Sequence, residues 1–284
     1  MFFSLCPLCL CGEPTVAMKL SVTSTHWNPE QYLKFSDHRL RPGLELLERI
    51  PLDAPKLICD LGCGTGKLTR LLAERWPGAT VFGLDHSQAM LEKAAAEPST
   101  IQWLEADAQH WQPDEPPDLI YSNAVLHWVE DHHALFPRLV GFLKPGGCLA
   151  VQMPLSRNQP SHLLMQEVLE QGSEGGSPLG TAELRKETAR KWVEDAEVYY
   201  DWLAGCTRSL DIWETEYLQV LEGDDPVLEW VKGTGVRPIL NGLRDEEREV
   251  FLTKYRQRLR VAYSRRDDGR TLYPFRRLFL VATV

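Results

Sequence analysis

Short apolar runs alternate with amphipathic stretches through the first half of the chain. Lys56 to Leu61 is an apolar run that ends on an aspartate and leads into glycines, as a strand entering a turn does. Lys67 to Trp76 places Leu68, Leu71 and Leu72 at helical spacing and is stopped by Pro77 and Gly78. Thr80 to Leu84 predicts a second strand, and Gln88 to Ala96 an alanine-rich helix. Ile101 to Leu104, Leu119 to Tyr121 and Cys148 to Met153 predict three further strands. Leu135 to Leu143 predicts a helix, closed by Lys144-Pro145-Gly146-Gly147. Strands that alternate with helices in this way build a parallel sheet covered on both faces. Right-handed crossovers bring the strands' carboxyl ends to one edge, where open α/β sheets bind ligands.

The pattern changes after Pro154. Ser161 to Gln171 and Lys186 to Ala204 predict helices, separated by the glycine-rich Gly172 to Gly180. Leu210 to Leu221 predicts a long strand and Arg277 to Val284 a closing one, with helices over Pro226 to Gly233 and Asp245 to Tyr263 between them. The expected fold is therefore α/β: a doubly wound, mostly parallel, seven-stranded sheet with a helical lid. Its ligand-binding half spans 55–154 of a domain covering 26–284, with lid elements at about 26–50, 155–185 and 222–268. Residues 1–25 read as a disordered extension with Met18 as an alternative start. Cys6, Cys9 and Cys11 lack the second ligand pair that a tetrahedral zinc needs.

Composition narrows the function. Of 284 residues, 43% are hydrophobic and 25% charged, which suits a globular chain, and no apolar run is long enough to span a bilayer. The net charge of −9 argues against a general nucleic-acid-binding face. Seven cysteines, an odd number scattered through core-like segments, point to a reducing, cytoplasmic setting rather than a disulfide framework. A monomer is expected. Against this acidic background, Arg237 to Arg277 holds twelve basic and six acidic residues. Most of them suit a solvated helix face, but a few arginines turned inward would meet an anionic substrate.

The candidate chemistry starts at Asp60-Leu61-Gly62-Cys63-Gly64-Thr65-Gly66, between a strand and a helix. Glycines there permit a tight turn and close backbone approach to a ligand. A dinucleotide fingerprint would put the third glycine one residue later. An acid two residues before the first glycine would also repel a pyrophosphate, and suits a ligand with a cationic or hydrogen-bond-donating end. Asp85 ends the second strand, where a carboxylate can accept from both ribose hydroxyls. Asp107 follows the third strand and Ser122-Asn123-Ala124 the fourth. One such acid could be a helix cap; polar groups at four successive strand ends favour one shared site.

With the motifs ICDLGCGTG, VFGLDHSQAM, EADAQHW, DLIYSNAVLHW and LKPGGCLAV, the chain resembles the class I S-adenosylmethionine-dependent methyltransferases from Leu57 to Val151. It is similar, more narrowly, to the group within them that methylates trans-aconitate. That likeness adds Trp27 to Tyr32, Arg39 to Pro42, Ala150 to Pro154, Asp211 to Trp213, Glu229 to Pro238 and Phe275 to Phe279. It implies that Gly62, Gly64 and Gly66 approach S-adenosylmethionine, that Asp60 meets its amino-acid end and Asp85 its ribose, and that Asp107 and Ala108 meet its adenine. Asn123 would lie under the methionine part, and Met90, Tyr32 and Arg41 complete the expected cofactor set. The N-terminal extension to Thr25, the glycine-rich loop at Gly172 to Gly180, and Arg276, where the group suggests proline, depart from it.

The implied reaction is esterification of one carboxylate of a small polycarboxylic acid, with trans-aconitate giving its monomethyl ester. A carboxylate with a pKa near ~4 is already ionised and needs no general base, so neither a catalytic triad nor a metal is expected. His127, Trp128, Arg237, Tyr273 and Arg277 are the candidate substrate residues, since arginine forks suit carboxylates. Another small molecule, an acyl thioester with a free carboxyl, and a non-catalytic cofactor-binding module remain the alternatives. A nicotinamide dehydrogenase lies further off.

Overall fold

The computed structural model describes residues 36–172 and 175–284. Tyr32, Cys6, Cys9, Cys11 and the 1–25 extension lie outside the described residues. Five strands run parallel: β1 (Leu57–Leu61), β2 (Thr80–Asp85), β3 (Gln102–Glu105), β4 (Leu119–Asn123) and β5 (Cys148–Pro154). β6 (Ser209–Leu221) and β7 (Thr271–Thr283) pair antiparallel, and β7 also lies antiparallel to β5. The sheet order is β3-β2-β1-β4-β5-β7-β6. The strand order reverses between β1 and β4, which opens a crevice at their carboxyl ends.

The helices are α1 (Ser36–Glu48), α2 (Lys67–Arg75), α3 (Gln88–Ala95), α4 (His132–Gly141), α5 (Pro160–Gln171), α6 (Ala182–Ala189), α7 (Ala196–Leu203), α8 (Pro226–Lys232), α9 (Arg237–Gly242) and α10 (Asp245–Ala262). Alternate residues of the central strands serve opposite faces. Ile58, Leu119, Tyr121 and Ala150 pack with Leu46 of α1 and Leu72 of α2. Cys59, Leu61, Ile120 and Val151 pack with Phe136 of α4 and Tyr199 of α7. Being apolar on both faces, these strands read as continuous hydrophobic runs.

A second core stands beyond the sheet. Met165 and Val168 of α5, Trp230 of α8, Phe251 and Tyr255 of α10, and Tyr273 and Phe275 of β7 bury one another there. β7 is accordingly longer than the expected Arg277 to Val284. Its first half pairs with β6 and carries the floor of this second core. Pro274 is accommodated because β5 pairs with β7 only from Arg277 onward, so no ladder partner waits for its missing N–H.

The helix expected over Lys186 to Ala204 is two helices, α6 and α7. Arg190 closes α6 in an extended conformation, Val193 is buried against the sheet core, and Lys191 pairs with Glu194 and Asp195. Burying Val193 outweighs the local helical pattern. The four cysteines among the described residues, Cys59, Cys63, Cys148 and Cys206, are unbridged. No helix among the described residues is long and apolar enough to cross a membrane.

Candidate functional site

The loop from β1 to α2 is held by the neighbouring strand: the N–H groups of Gly62 and Cys63 both donate to the Leu84 carbonyl, over 2.7 and 2.9 Å. Gly62, Gly64 and Gly66 all have positive φ, the region that favours glycine. Their surroundings differ. A Cβ at Gly62 would lie 2.1 Å from Val125, and one at Gly66 2.5 Å from Trp103. A Cβ at Gly64 would meet nothing within 4 Å. Two glycines are therefore demanded by packing, while Gly64 faces open space over the crevice.

Three carboxylates stand at the strand ends in different states. Asp60 is buried, and the Thr69 hydroxyl donates to it over 2.6 Å. Burial pushes its pKa up to about 7; the Thr69 bond opposes the shift and nearby Asp85 adds to it. Asp85 accepts from Gly64 N at 2.8 Å through one oxygen and from Ser87 N at 2.9 Å through the other. A carboxylate has about four acceptor positions, so Asp85 keeps capacity for a ligand's hydroxyls. Asp107 is exposed, accepts from Gln109 N and lies 2.9 Å from His110 Nδ1. Burial opposes its ionisation, but the bonds from Gln109 and His110 prevail and its pKa is lowered.

Asp60, Gly64, Asp85, Met90, Asn123 and Trp128 are among the residues that enclose a cleft of about 1030 Å³, including its open mouth. Asn123 Oδ1 is buried there with no protein partner. An orphaned acceptor, acceptor capacity on Asp85, a raised Asp60 and free space over Gly64 together fit the aminoalkyl, ribose and sulfonium parts of S-adenosylmethionine.

Not every expected cofactor residue is on this wall. Asp107 and Ala108 lie outside the lining, and Ala108 packs on the sheet core. Arg41 is exposed on α1, its guanidinium 5.0 Å from the Tyr217 ring centre, and is not on the cleft wall. The facing of α1 explains this: Leu40 lines the cleft, and the next residue turns toward β6.

A second cleft of about 650 Å³, including its mouth, adjoins the first. Ala124 and Trp128 line both. Ala124 has φ 57°, a conformation uncommon outside glycine, at the junction of the two spaces. Arg277, His127 and His162 project into the second cleft beside Ser156 and Thr234. Arg277 is only 5% exposed; its Nη1 donates to Gln152 Oε1 over 3.4 Å, and its guanidinium lies 4.4 Å from the Phe275 ring centre. Burial pushes His127 down to about 3, with Arg277, His132 and His162 adding to the shift. Burial alone pushes His162 down to about 4. No aspartate or glutamate is among the described lining residues.

His127, Trp128 and Arg277 thus come together as expected, whereas two other candidates do not line this space. Tyr273 is fully buried in the second core, its hydroxyl 3.2 Å from Ser161 Oγ, and Phe275, two residues along the same strand face, lines the cleft instead. Arg237 opens α9, half-buried and outside the lining, and desolvation lowers its pKa. His162, Ser156 and Thr234 carried no sequence signal, because only the packing of the second core brings them to the sheet edge.

The sheet order, the glycine loop and the carboxylates at the strand ends are those of the class I S-adenosylmethionine-dependent methyltransferases. A family profile described as a methyltransferase domain matches residues 58–147. A solved phosphoethanolamine N-methyltransferase from Haemonchus contortus, bound to S-adenosylhomocysteine, superposes with a TM-score of 0.50 at 16% identity, over 86% of this chain and 52% of that one. The trans-aconitate 2-methyltransferase of Pseudomonas aeruginosa strain UCBPP-PA14 is 48% identical over 91% of this chain and 94% of its own length. That of Escherichia coli O157:H7 is 41% identical over 90% and 97%. The chain belongs to the trans-aconitate 2-methyltransferase family.

Proposed function

We propose that the chain transfers the methyl group of S-adenosylmethionine to a carboxylate of a small polycarboxylic acid, trans-aconitate, giving a monomethyl ester. The observation that carries this reading is the pair of adjoining clefts with opposite electrostatics. One wall presents Asp60 and Asp85, the other Arg277 with two histidines, and Ala124 and Trp128 stand between them. A cationic donor and an anionic acceptor would be drawn to opposite sides of that boundary.

In this reading Gly64 and Asp85 hold the nucleoside end, Asp60 and Asn123 the amino-acid end, and Met90 packs beside them. Asp107 and Ala108 stay candidates for the adenine end, from the turn after β3. Bound S-adenosylmethionine supplies a methyl already activated on a sulfonium. Arg277 would grip a carboxylate, His127 would donate to it, and Trp128 would exclude water at the boundary. The residues align an ionised oxygen behind the methyl, and no side chain has to remove a proton.

The second core acts as the lid and Arg237 contributes to the local positive field. The net charge of −9 supports a small-molecule rather than a nucleic-acid partner. A cytoplasmic monomer completes the reading.

The test uses methyl-labelled S-adenosylmethionine with trans-aconitate. Base-labile label, released as methanol, is expected, and position-resolved NMR identifies the carboxyl taken. Cofactor binding without transfer to this acid would discard the substrate and leave the fold standing.

A further inference from the structure

We propose that His162 is a specificity-determining residue: it donates from Nε2 into the second cleft to a carboxylate other than the one methylated, and so selects polycarboxylic over monocarboxylic acids. The inference rests on the polyacid reading of that cleft.

His162 sits in the first turn of α5, next to Ser161, which three tyrosines hold. Tyr255 donates to the Ser161 carbonyl over 2.8 Å, and Ser161 N donates to the Tyr263 hydroxyl over 3.0 Å. Ser161 Oγ lies 3.2 Å from the Tyr273 hydroxyl and 3.3 Å from His162 Nδ1. All three tyrosines are buried. A neutral imidazole has one N–H. When Tyr273 donates to Ser161 Oγ and Ser161 to Nδ1, that proton sits on Nε2, and a carboxylate arriving at Nε2 selects this tautomer. Nε2 lies against Gly235, where a Cβ would come within 3.2 Å of it. Gly235 lines the same cleft and lies in the loop after α8, so its bare backbone leaves the imidazole room.

Four polar side chains from other elements line the cleft with His162. Arg277 comes from β7, His127 from the turn after β4, Thr234 from the loop after α8, and Ser156 from the loop after β5. None of these is acidic. An arginine fork engages one carboxylate, and a further carboxylate in this cleft needs a further donor. His162 supplies it from a second element. A carboxylate brought against a desolvated neutral imidazole favours its charged form, so acid binding should draw in a proton.

The test is calorimetric titration of the full chain loaded with S-adenosylhomocysteine, which prevents turnover, in two buffers of different ionisation enthalpy. Trans-aconitate is compared with crotonate, a monocarboxylic acid. His162→Ala should lose about tenfold in trans-aconitate affinity, change little toward crotonate, and bind the cofactor product normally. Proton uptake should fall with it. His162→Gln, which keeps an N–H donor near the Nε2 position, should recover most of the affinity but not the uptake. Gly235→Ala, which crowds Nε2 without touching the imidazole chemistry, should weaken the triacid selectively. Wild-type affinity and proton uptake in His162→Ala would overturn the assignment. If that variant does not fold, equal triacid-to-monoacid selectivity in wild type and Gly235→Ala overturns it. A wild-type protein that esterifies trans-aconitate while these variants behave as wild type sinks only the role of His162. A wild-type protein that neither binds nor esterifies trans-aconitate sinks the substrate reading, and this inference with it.

Discussion

The backbone N–H of Gly64 donates to Asp85 Oδ2 over 2.8 Å, which ties the loop after the first strand to the end of the second. The same carboxylate holds Ser87 N through its other oxygen, so it fixes two segments that line the first cleft. Asp85→Ala should therefore weaken S-adenosylhomocysteine by about 10–100-fold, by removing a ligand contact and loosening the loop together. Asp85→Asn, which keeps one acceptor oxygen, should fall between. Titration calorimetry reads both, and wild-type affinity in the alanine variant would remove Asp85 from the site.

The glycines of that loop should separate folding from binding. Gly62→Ala forces a side chain to positive φ and into Val125, so it should destabilise by about 2 kcal/mol or more. Gly64→Ala meets open space and bears only the conformational cost of about 1 kcal/mol. Its methyl instead enters the cleft. Urea unfolding should show Gly62→Ala as the less stable protein, and cofactor titration should show Gly64→Ala as a folded but weaker binder.

Asp60 should give ligand binding in the first cleft a pH dependence. Burial raises its folded pKa to about 7 from the usual 3.8. The folded apoprotein therefore binds more protons than the unfolded chain between those values. Its stability should fall as pH rises from about 4 to about 7, and Asp60→Asn should flatten that slope. A cationic ligand prefers the ionised carboxylate, so S-adenosylmethionine should bind more tightly at pH 8 than at pH 6. The same affinity at both pH values in the wild type would deny Asp60 a role at the cationic end.

Arg277 is tested by what it leaves untouched. It lines the second cleft and not the first, so Arg277→Leu should raise KM for the acid by about 100-fold and leave S-adenosylhomocysteine affinity near wild type. Arg277→Lys keeps the charge but loses the planar fork and should recover only part of the loss. Equal damage to both affinities would mean that Arg277 supports the sheet rather than the substrate.

Much of the first cleft's wall was open to sequence reading because those parts are local, although Leu40 of α1 also lines it. A strand, a turn and a helix carry Asp60 through Gly66, and Asp85 and Asn123 end their own strands. The right-handed crossover then brings these ends together without further information. The second cleft is assembled by tertiary packing, so its residues have no common sequence signal. His162 reaches it because Tyr255, Tyr263 and Tyr273 clamp Ser161, and Thr234 because α8 packs on β7. Tyr273 and Phe275 share a strand face, and alternation alone does not say which of the two meets the cleft and which the core. Ala124 at positive φ is similarly silent in sequence, since nothing in a Ser-Asn-Ala run announces a left-handed turn.

Glu45 offers a test of how α1 docks on β6. Its carboxylate, on α1, accepts from Trp213 Nε1 at 3.2 Å, Thr215 Oγ1 at 2.9 Å and the Tyr217 hydroxyl at 2.5 Å, all on β6. Arg41 lies over the Tyr217 ring beside it. Burial opposes ionisation of Glu45, but the three donors and Arg41 outweigh it, and its pKa is lowered below the usual 4.5. A lowered folded pKa contributes stability that is present above 4.5 and is lost as pH falls through the lower folded value. Glu45→Ala leaves three donors without their shared acceptor and should destabilise by about 1–3 kcal/mol at neutral pH. Glu45→Gln keeps one acceptor oxygen and should lose less. Urea unfolding from pH 7 down to pH 3 should show the wild-type advantage over Glu45→Gln shrinking below pH 4.5. An advantage that stays constant across that range would mean that the carboxylate's charge contributes nothing to docking α1 on β6.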